Sequence, residues 1–161
     1  MGKIDRRLEE LGLRLPSEPR LPPGIDIPFQ WVRVRGRRAF LAGHGALSED
    51  GSPRGPFGKV PSQVSVEEAQ ESACSAVLSM LASLARALGD LDHVAAWMML
   101  FGNVNADPDY PYTNLVLNPA SALLVELYGA DRGAHARTSI GMAALPFRLP
   151  VIIAAEIELA S

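Results

Sequence analysis

The stretch HVAAWMMLFGNV, His93 to Val104, decides the architecture. It is an apolar run rich in aromatic and branched side chains, bounded by Asp92 and Asn103, and it reads as a β-strand buried on both faces. A helix is expected on each side of it. Upstream, Ser65 and Glu68 form an S-x-x-E capping box, and Ala69, Ala73, Val77, Met80, Leu81, Leu84 and Leu88 recur at three- and four-residue spacing up to Gly89. That pattern predicts an amphipathic helix of about six turns. Downstream, Asp107 and Pro108 open a second helix that runs through NLVLNPASALLVELYG to Gly129, with Pro119 near a first turn or at a kink.

Strands lie outside this helix-strand-helix unit. QWVRVRGRRAFLAGHGAL, Gln30 to Leu47, sets Trp31, Arg33 and Arg35 on one face and Val32 and Val34 on the other, turns near Gly36, and resumes at Ala39. This is a β-hairpin. Two more strands close the chain: one opens at Arg137, and in the other the odd positions from Val151 to Leu159 are all apolar. The order ββαβαββ lacks strict β-α alternation and predicts an α+β fold, a mixed sheet with two helices on one face. Two helices shield only one face, yet the central strand is apolar on both. A second copy of the chain is the simplest cover, so a homo-oligomer is expected.

Residues 1 to 27 stand apart. Ile4, Leu8 and Leu11 suit a short amphipathic helix ended by Gly12, and four prolines in RLPSEPRLPPG, Arg14 to Gly24, favour an extended appendage. The rest, 28 to 161, reads as one domain.

Composition narrows the function. Fifteen Lys and Arg against eighteen Asp and Glu give a net charge of −3, which supplies no general field for nucleic acid or an anionic membrane. The single cysteine, Cys74, excludes an intrachain disulfide framework and fits a helix core. No leader pattern opens the chain and no run reaches the ~18 apolar residues of a membrane span, so a cytoplasmic protein is expected. His44, His93 and His135 are scattered, and no motif indicates a metal or a nucleotide.

The chemistry points to Arg137 in GAHARTSIGMAALP, Gly133 to Pro146. In a strand starting there, Arg137 shares a face with Ser139, Gly141 and Ala143, all small, while Thr138, Ile140 and Met142 point toward the helices. A planar guanidinium suits bidentate binding of a carboxylate, so Arg137 reads as an anion clamp on the face a second subunit covers. An intersubunit salt bridge to Glu156 or Glu158 explains it equally well. His44 suits an acid or base if it faces the cleft, or else a strand-end histidine bonded to backbone.

These segments resemble the RidA/YjgF family of reactive intermediate deaminases, formerly labelled L-PSP endoribonucleases, in its longer bacterial subgroup. HARTSIGMAALP is similar to the family's C-terminal signature, FLAGHGAL to its strand ending in Ser-Gly-Gln, SVEEAQESACSAVLSMLASLARALGDLDHV to its long helix, and FGNVNADPDY with VLNPASALLVELYG to the segment that follows. The likeness spans about residues 28 to 160.

The resemblance implies a chorismate mutase-like homotrimer with sites between subunits. In active members the arginine holds the carboxylate of a 2-imino acid or enamine and a glutamate on the last strand assists its hydrolysis to a 2-oxo acid and ammonia, with no cofactor. Carried over, Arg137 is the clamp, Asn118 an asparagine beside the site, Gly43 the retained glycine of the Ser-Gly-Gln strand, and Phe29 stands for a tyrosine. Ser139 is counted among the residues that bind substrate. The glutamate's position falls on Ile152, and Glu156, the nearest carboxylate on that face, lies about 13 Å further on. Enamine or imine hydrolysis, with Arg137, Glu156 and His44 as its machinery, and metabolite binding without turnover are therefore both carried forward. Ribonuclease activity ranks below them, since no histidine pair or basic groove is present.

Overall fold

A computed structural model describes residues 1 to 161. Helix α1 covers Lys3–Glu10, strands β1 and β2 cover Val32–Arg35 and Arg38–His44, and helix α2 covers Val66–Leu88. Strand β3 is Val94–Asn105, helix α3 Thr113–Arg132, strand β4 Ala136–Met142 and strand β5 Val151–Leu159. One sheet of order β1-β2-β5-β3-β4 results, with β3 and β4 parallel and the other neighbours antiparallel. The fold is the expected α+β type, with α2 and α3 on one face.

Local chemistry sets the element ends. Ser65 accepts a hydrogen bond from the Glu68 N–H while the Glu68 carboxylate accepts from the Ser65 N–H, closing the capping box. Gly89 ends α2 in the left-handed conformation at φ 78°, which costs glycine no Cβ clash. Helix α2 is apolar enough over its length to cross a membrane, but its apolar stripe, including Val77, Met80, Leu81 and Leu84, is fully buried in the protein core.

Helix α3 starts at Thr113, six residues later than the Asp107-Pro108 pair suggests. The Asp107 carboxylate does not cap a helix there; it accepts from the N–H and hydroxyl of Ser62, a contact 45 residues away in sequence. Pro119 lies inside α3 and leaves the Leu115 carbonyl without its helical donor. Gln70 of α2 takes that place, its Nε2 donating to the Leu115 oxygen at 2.9 Å.

The core lies between the sheet and the helices. Leu100 and Val104 of β3 and Val151, Ile153, Ala155 and Ile157 of β5 are buried there. The segment before residue 27 shares this core: Ile4 and Leu8 are buried in it, and the N–H groups of Ser17 and Arg20 donate to the carbonyls of Glu49 and Gly51.

The other sheet face has no cover within the chain. Met98 is 53% exposed, Ile140 48% and Phe101 and Met142 37% each. This corrects the facing assigned to β4. Ile140 and Met142 point to the open side, whereas Arg137 pairs in register with the buried Leu100 and turns toward α3. Apolar character marks the helix-facing side only when the opposite face is solvated, and here both faces are apolar.

Tight packing under α3 provides a test. A Cβ at Gly102 would run into Leu117 Cδ1 and come within 3.0 Å of the Thr138 carbonyl oxygen, and Leu117 is buried with no room to retreat. Gly102→Ala is expected to lower stability by about 1–3 kcal/mol in urea unfolding. An unchanged midpoint would mean that α3 seats loosely on β3.

Candidate functional site

The residues singled out from the sequence fall into two groups. The first surrounds Arg137, which leaves edge strand β4 and curls over the exposed flank of α3. Its guanidinium donates to Ser121 Oγ at 2.8 Å, to Asn118 Oδ1 at 2.9 Å and to the Asn114 carbonyl at 3.3 Å. All three acceptors are neutral, and no carboxylate of the chain pairs with Arg137. Partial burial pulls its pKa below the ordinary value, yet a guanidinium stays charged at any working pH. The chain thus orients this cation without neutralising it.

Asn118 lies beside Arg137 and accepts its hydrogen bond. Asn114 and Ser121 were not anticipated, although positions 114, 118 and 121 repeat at four and three and so form one polar stripe on α3. His135 extends the set: its Nδ1–H donates to the Gly133 carbonyl at 2.7 Å and its Nε2 accepts from Ser121 at 2.9 Å. Ser139 is half-buried, and its carbonyl accepts from the Thr113 hydroxyl. The small neighbours of Arg137 therefore lie against the α3 side, not in an open crevice on the bare face of the sheet.

The second group lies at the far side of the sheet. Phe29, Trp31, Gly43, His44 and Ile152 line a cavity of about 260 Å³. Three strand spacings, about 14 Å, separate β2 from β4. Ile152 pairs in register with Asn103 on the open face, whereas Arg137 pairs with Leu100 on the helix face. One chain cannot bring both groups to one small ligand.

The possible proton-transfer groups are occupied. His44 is 2% exposed; its Nδ1–H donates to the Ala42 carbonyl at 2.6 Å and its Nε2 accepts from the Ser83 hydroxyl at 2.8 Å. Burial, aided by the nearby Arg86 charge, pushes its pKa down from 6.5 to about 4, so the ring is neutral at neutral pH. Glu156 receives a hydrogen bond from Arg38 at 2.8 Å, and Glu158 one from Arg37 at 2.8 Å. Neither carboxylate is left for Arg137 of its own chain. Ile152 fills the remaining place: a Cβ on Gly43 would come 2.7 Å from its Cγ2. Burial and Glu71 raise the pKa of Cys74, which suits an inert thiol.

The His44 shift has a definite sign. Between pH 6.5 and 4 the unfolded chain binds a proton that the folded chain refuses, so stability is highest above pH 6.5 and declines on acidification. Lowering the pH from 6.5 to 5 should cost about 1.5 kcal/mol, the slope rising toward 1.36 kcal/mol per unit as the unfolded histidine becomes fully protonated. Urea unfolding of the wild type and His44→Gln at the two pH values measures this, and the variant should lose most of the slope. Equal slopes would assign the acid sensitivity to other groups.

No family model matches the chain. It is 29% identical to Protein TCP17 of Trypanosoma cruzi over 158 residues, covering 98% of this chain and 95% of that protein. Among solved structures, the protein Atu1372 of Agrobacterium tumefaciens, described as of unknown function, is 31% identical with a TM-score of 0.84, covering 97% of this chain and 91% of its own. RidA from an Antarctic Psychrobacter is 17% identical with a TM-score of 0.57, covering 85% and 93% respectively. The mixed five-stranded sheet with two helices on one face is the fold that the chain shares with that RidA.

Proposed function

We propose that the protein assembles as a homotrimer and binds a small carboxylate-bearing metabolite in the clefts between its subunits, without turning it over. The observation that carries this reading is Arg137, a partly buried permanent cation whose three acceptors are all neutral. A charge withdrawn from water is costly unless an opposite charge joins it, and a planar carboxylate matches the fork of the guanidinium. The bare sheet face supports assembly, because Met98, Phe101, Ile140 and Met142 need a cover that the chain does not supply. Assembly also provides a means for the Arg137 group of one copy to meet the Ile152 cavity of another.

Absence of turnover follows from the side chains at hand. Hydrolysis of an enamine or imine needs a group that moves a proton to or from water within hydrogen-bond reach. Ile152 has none, His44 has both nitrogens engaged, and Glu156 is held by Arg38.

Sedimentation velocity tests the assembly. The expected species is a trimer, and Ile140→Asp should reduce it to monomer; a wild-type monomer removes the proposal. Isothermal titration with a panel of 2-oxo acids tests the site, and Arg137→Ala is expected to weaken binding 10- to 100-fold, in line with the loss of charge-assisted hydrogen bonds. Binding equal in wild type and variant sinks the clamp. Arg137-dependent release of ammonia from a freshly generated 2-imino acid would overturn the claim of no turnover.

A further inference from the structure

His135 and Arg137 share one hydroxyl. Nδ1 of His135 lies 2.7 Å from the Gly133 carbonyl, which only accepts, so Nδ1 carries the proton of the neutral ring. Nε2 is then an acceptor, and the Ser121 hydroxyl donates to it at 2.9 Å. The same Ser121 oxygen accepts from Arg137 Nη1 at 2.8 Å. The three side chains thus form a directed series, Arg137 to Ser121 to His135. The hydroxyl hydrogen is committed to the ring, and polarisation along such a series strengthens the hold of the oxygen on the guanidinium.

A proton on Nε2 reverses the middle of the series. Imidazolium has two donors and no acceptor. Nε2–H then donates to Ser121 Oγ, and the hydroxyl hydrogen has to turn away, toward the carbonyl one helical turn back that serine in a helix commonly uses. The Ser121 oxygen faces two cations in that state, and its bond to Arg137 weakens. Because Ser121 Oγ touches both side chains, the His135 and Arg137 nitrogens are less than about 6 Å apart, close enough for like charges to disfavour each other and for one anion to satisfy both.

The surroundings do not balance such a pair of charges. On α3, Glu126 is paired with Arg7, Asp131 forms no ion pair, and Arg132 turns to the carbonyls of Asp92 and Val94. On β3, Met98, Met99 and Leu100 run beside the start of β4 without a charge, Met99 opposite Ala136. No carboxylate of the chain pairs with His135 or Arg137. Of the five N–H groups of the Arg137 guanidinium, three are spent on α3, which leaves two for a ligand. The balancing negative charge has to come from outside the chain.

We propose that His135 is a positioning residue for anion binding, acting on Arg137 through Ser121, and that capture of a carboxylate at Arg137 draws a proton from water onto His135 Nε2. Each event favours the other, by the reciprocity of linked equilibria. Histidine is the side chain that changes charge between about pH 5 and 8, so affinity for a carboxylate rises as the pH falls through that range. The proton stays between His135 and Ser121 and none reaches the ligand. The inference rests on the reading of carboxylate binding without turnover and adds its regulation by pH.

Calorimetric titration of the intact protein with pyruvate at pH 8 and pH 6 tests it. Wild type is expected to bind about threefold more tightly at pH 6, the size of a partly exposed charge interaction. Titrations at pH 7 in two buffers of different ionisation enthalpy should register net proton uptake on binding. His135→Gln is expected to flatten the profile and abolish the uptake, and Ser121→Ala, which cuts the series while keeping the ring, should reduce both, with circular dichroism verifying each fold. Absence of proton uptake in the wild type overturns the inference whatever the variants do. A profile and an uptake shared by wild type and His135→Gln also overturn it, while Arg137-dependent binding stands. If neither pyruvate nor any other acid of the panel binds at either pH, the carboxylate reading itself fails and takes this inference with it.

Discussion

A central strand with apolar side chains on both sides, flanked by helices that cover only one of them, is the constraint on which this molecule turns. Trp97, Leu100 and Val104 of β3 are buried under α2 and α3, while Met98 and Phe101 of the same strand face outward. No rearrangement of α2 and α3 covers both sides, since each helix already commits its apolar stripe to the first. The exposed side has no cover within the chain, and the candidate residues are divided between the two ends of the sheet. Arg137 and its acceptors sit beyond the edge strand, and the apolar cavity sits at the opposite end of the sheet.

The electrostatics of the two halves differ in kind. Around Arg137 the protein supplies oriented dipoles of hydroxyl, amide and carbonyl, which fix a cation while leaving its charge to act. Around Ile152 it supplies almost nothing polar, and the one buried histidine nearby is held neutral by desolvation. The acidic residues of β5 that might have balanced Arg137 are paired instead with Arg37 and Arg38 of the hairpin. Arg137 thus keeps a cation unpaired by any carboxylate of the chain, with no free base beside it, within a fold shared with RidA.

Much of this was legible in the sequence because the signals were local. The α2 capping box, the hairpin turn at Gly36 and the alternation of β5 all involve residues within a few positions of one another. The start of α3 was not legible, since Asp107 is claimed by Ser62 across a long stretch of chain. The facing of β4 came out inverted because hydrophobic patterning assumes one wet side, and Ile140 and Met142 belong to an apolar face that the chain leaves exposed. Arg137, Asn118, Gly43 and Ile152 could be picked out singly, but only coordinates reveal that they lie in two places. The contribution of residues 19 to 29 to a cavity wall had no local cue at all.

Pro119 has a bearing on how readily Arg137 can be used. By freeing the Leu115 carbonyl for Gln70, it links the first turns of α3 to α2. Those turns carry Asn114 and Asn118, and Ser121 follows directly. The three groups that aim the arginine are therefore held in place by the packing of α3 itself. The torsional freedom of a long, many-jointed side chain is largely surrendered during folding, so Arg137 stands preorganised in one direction.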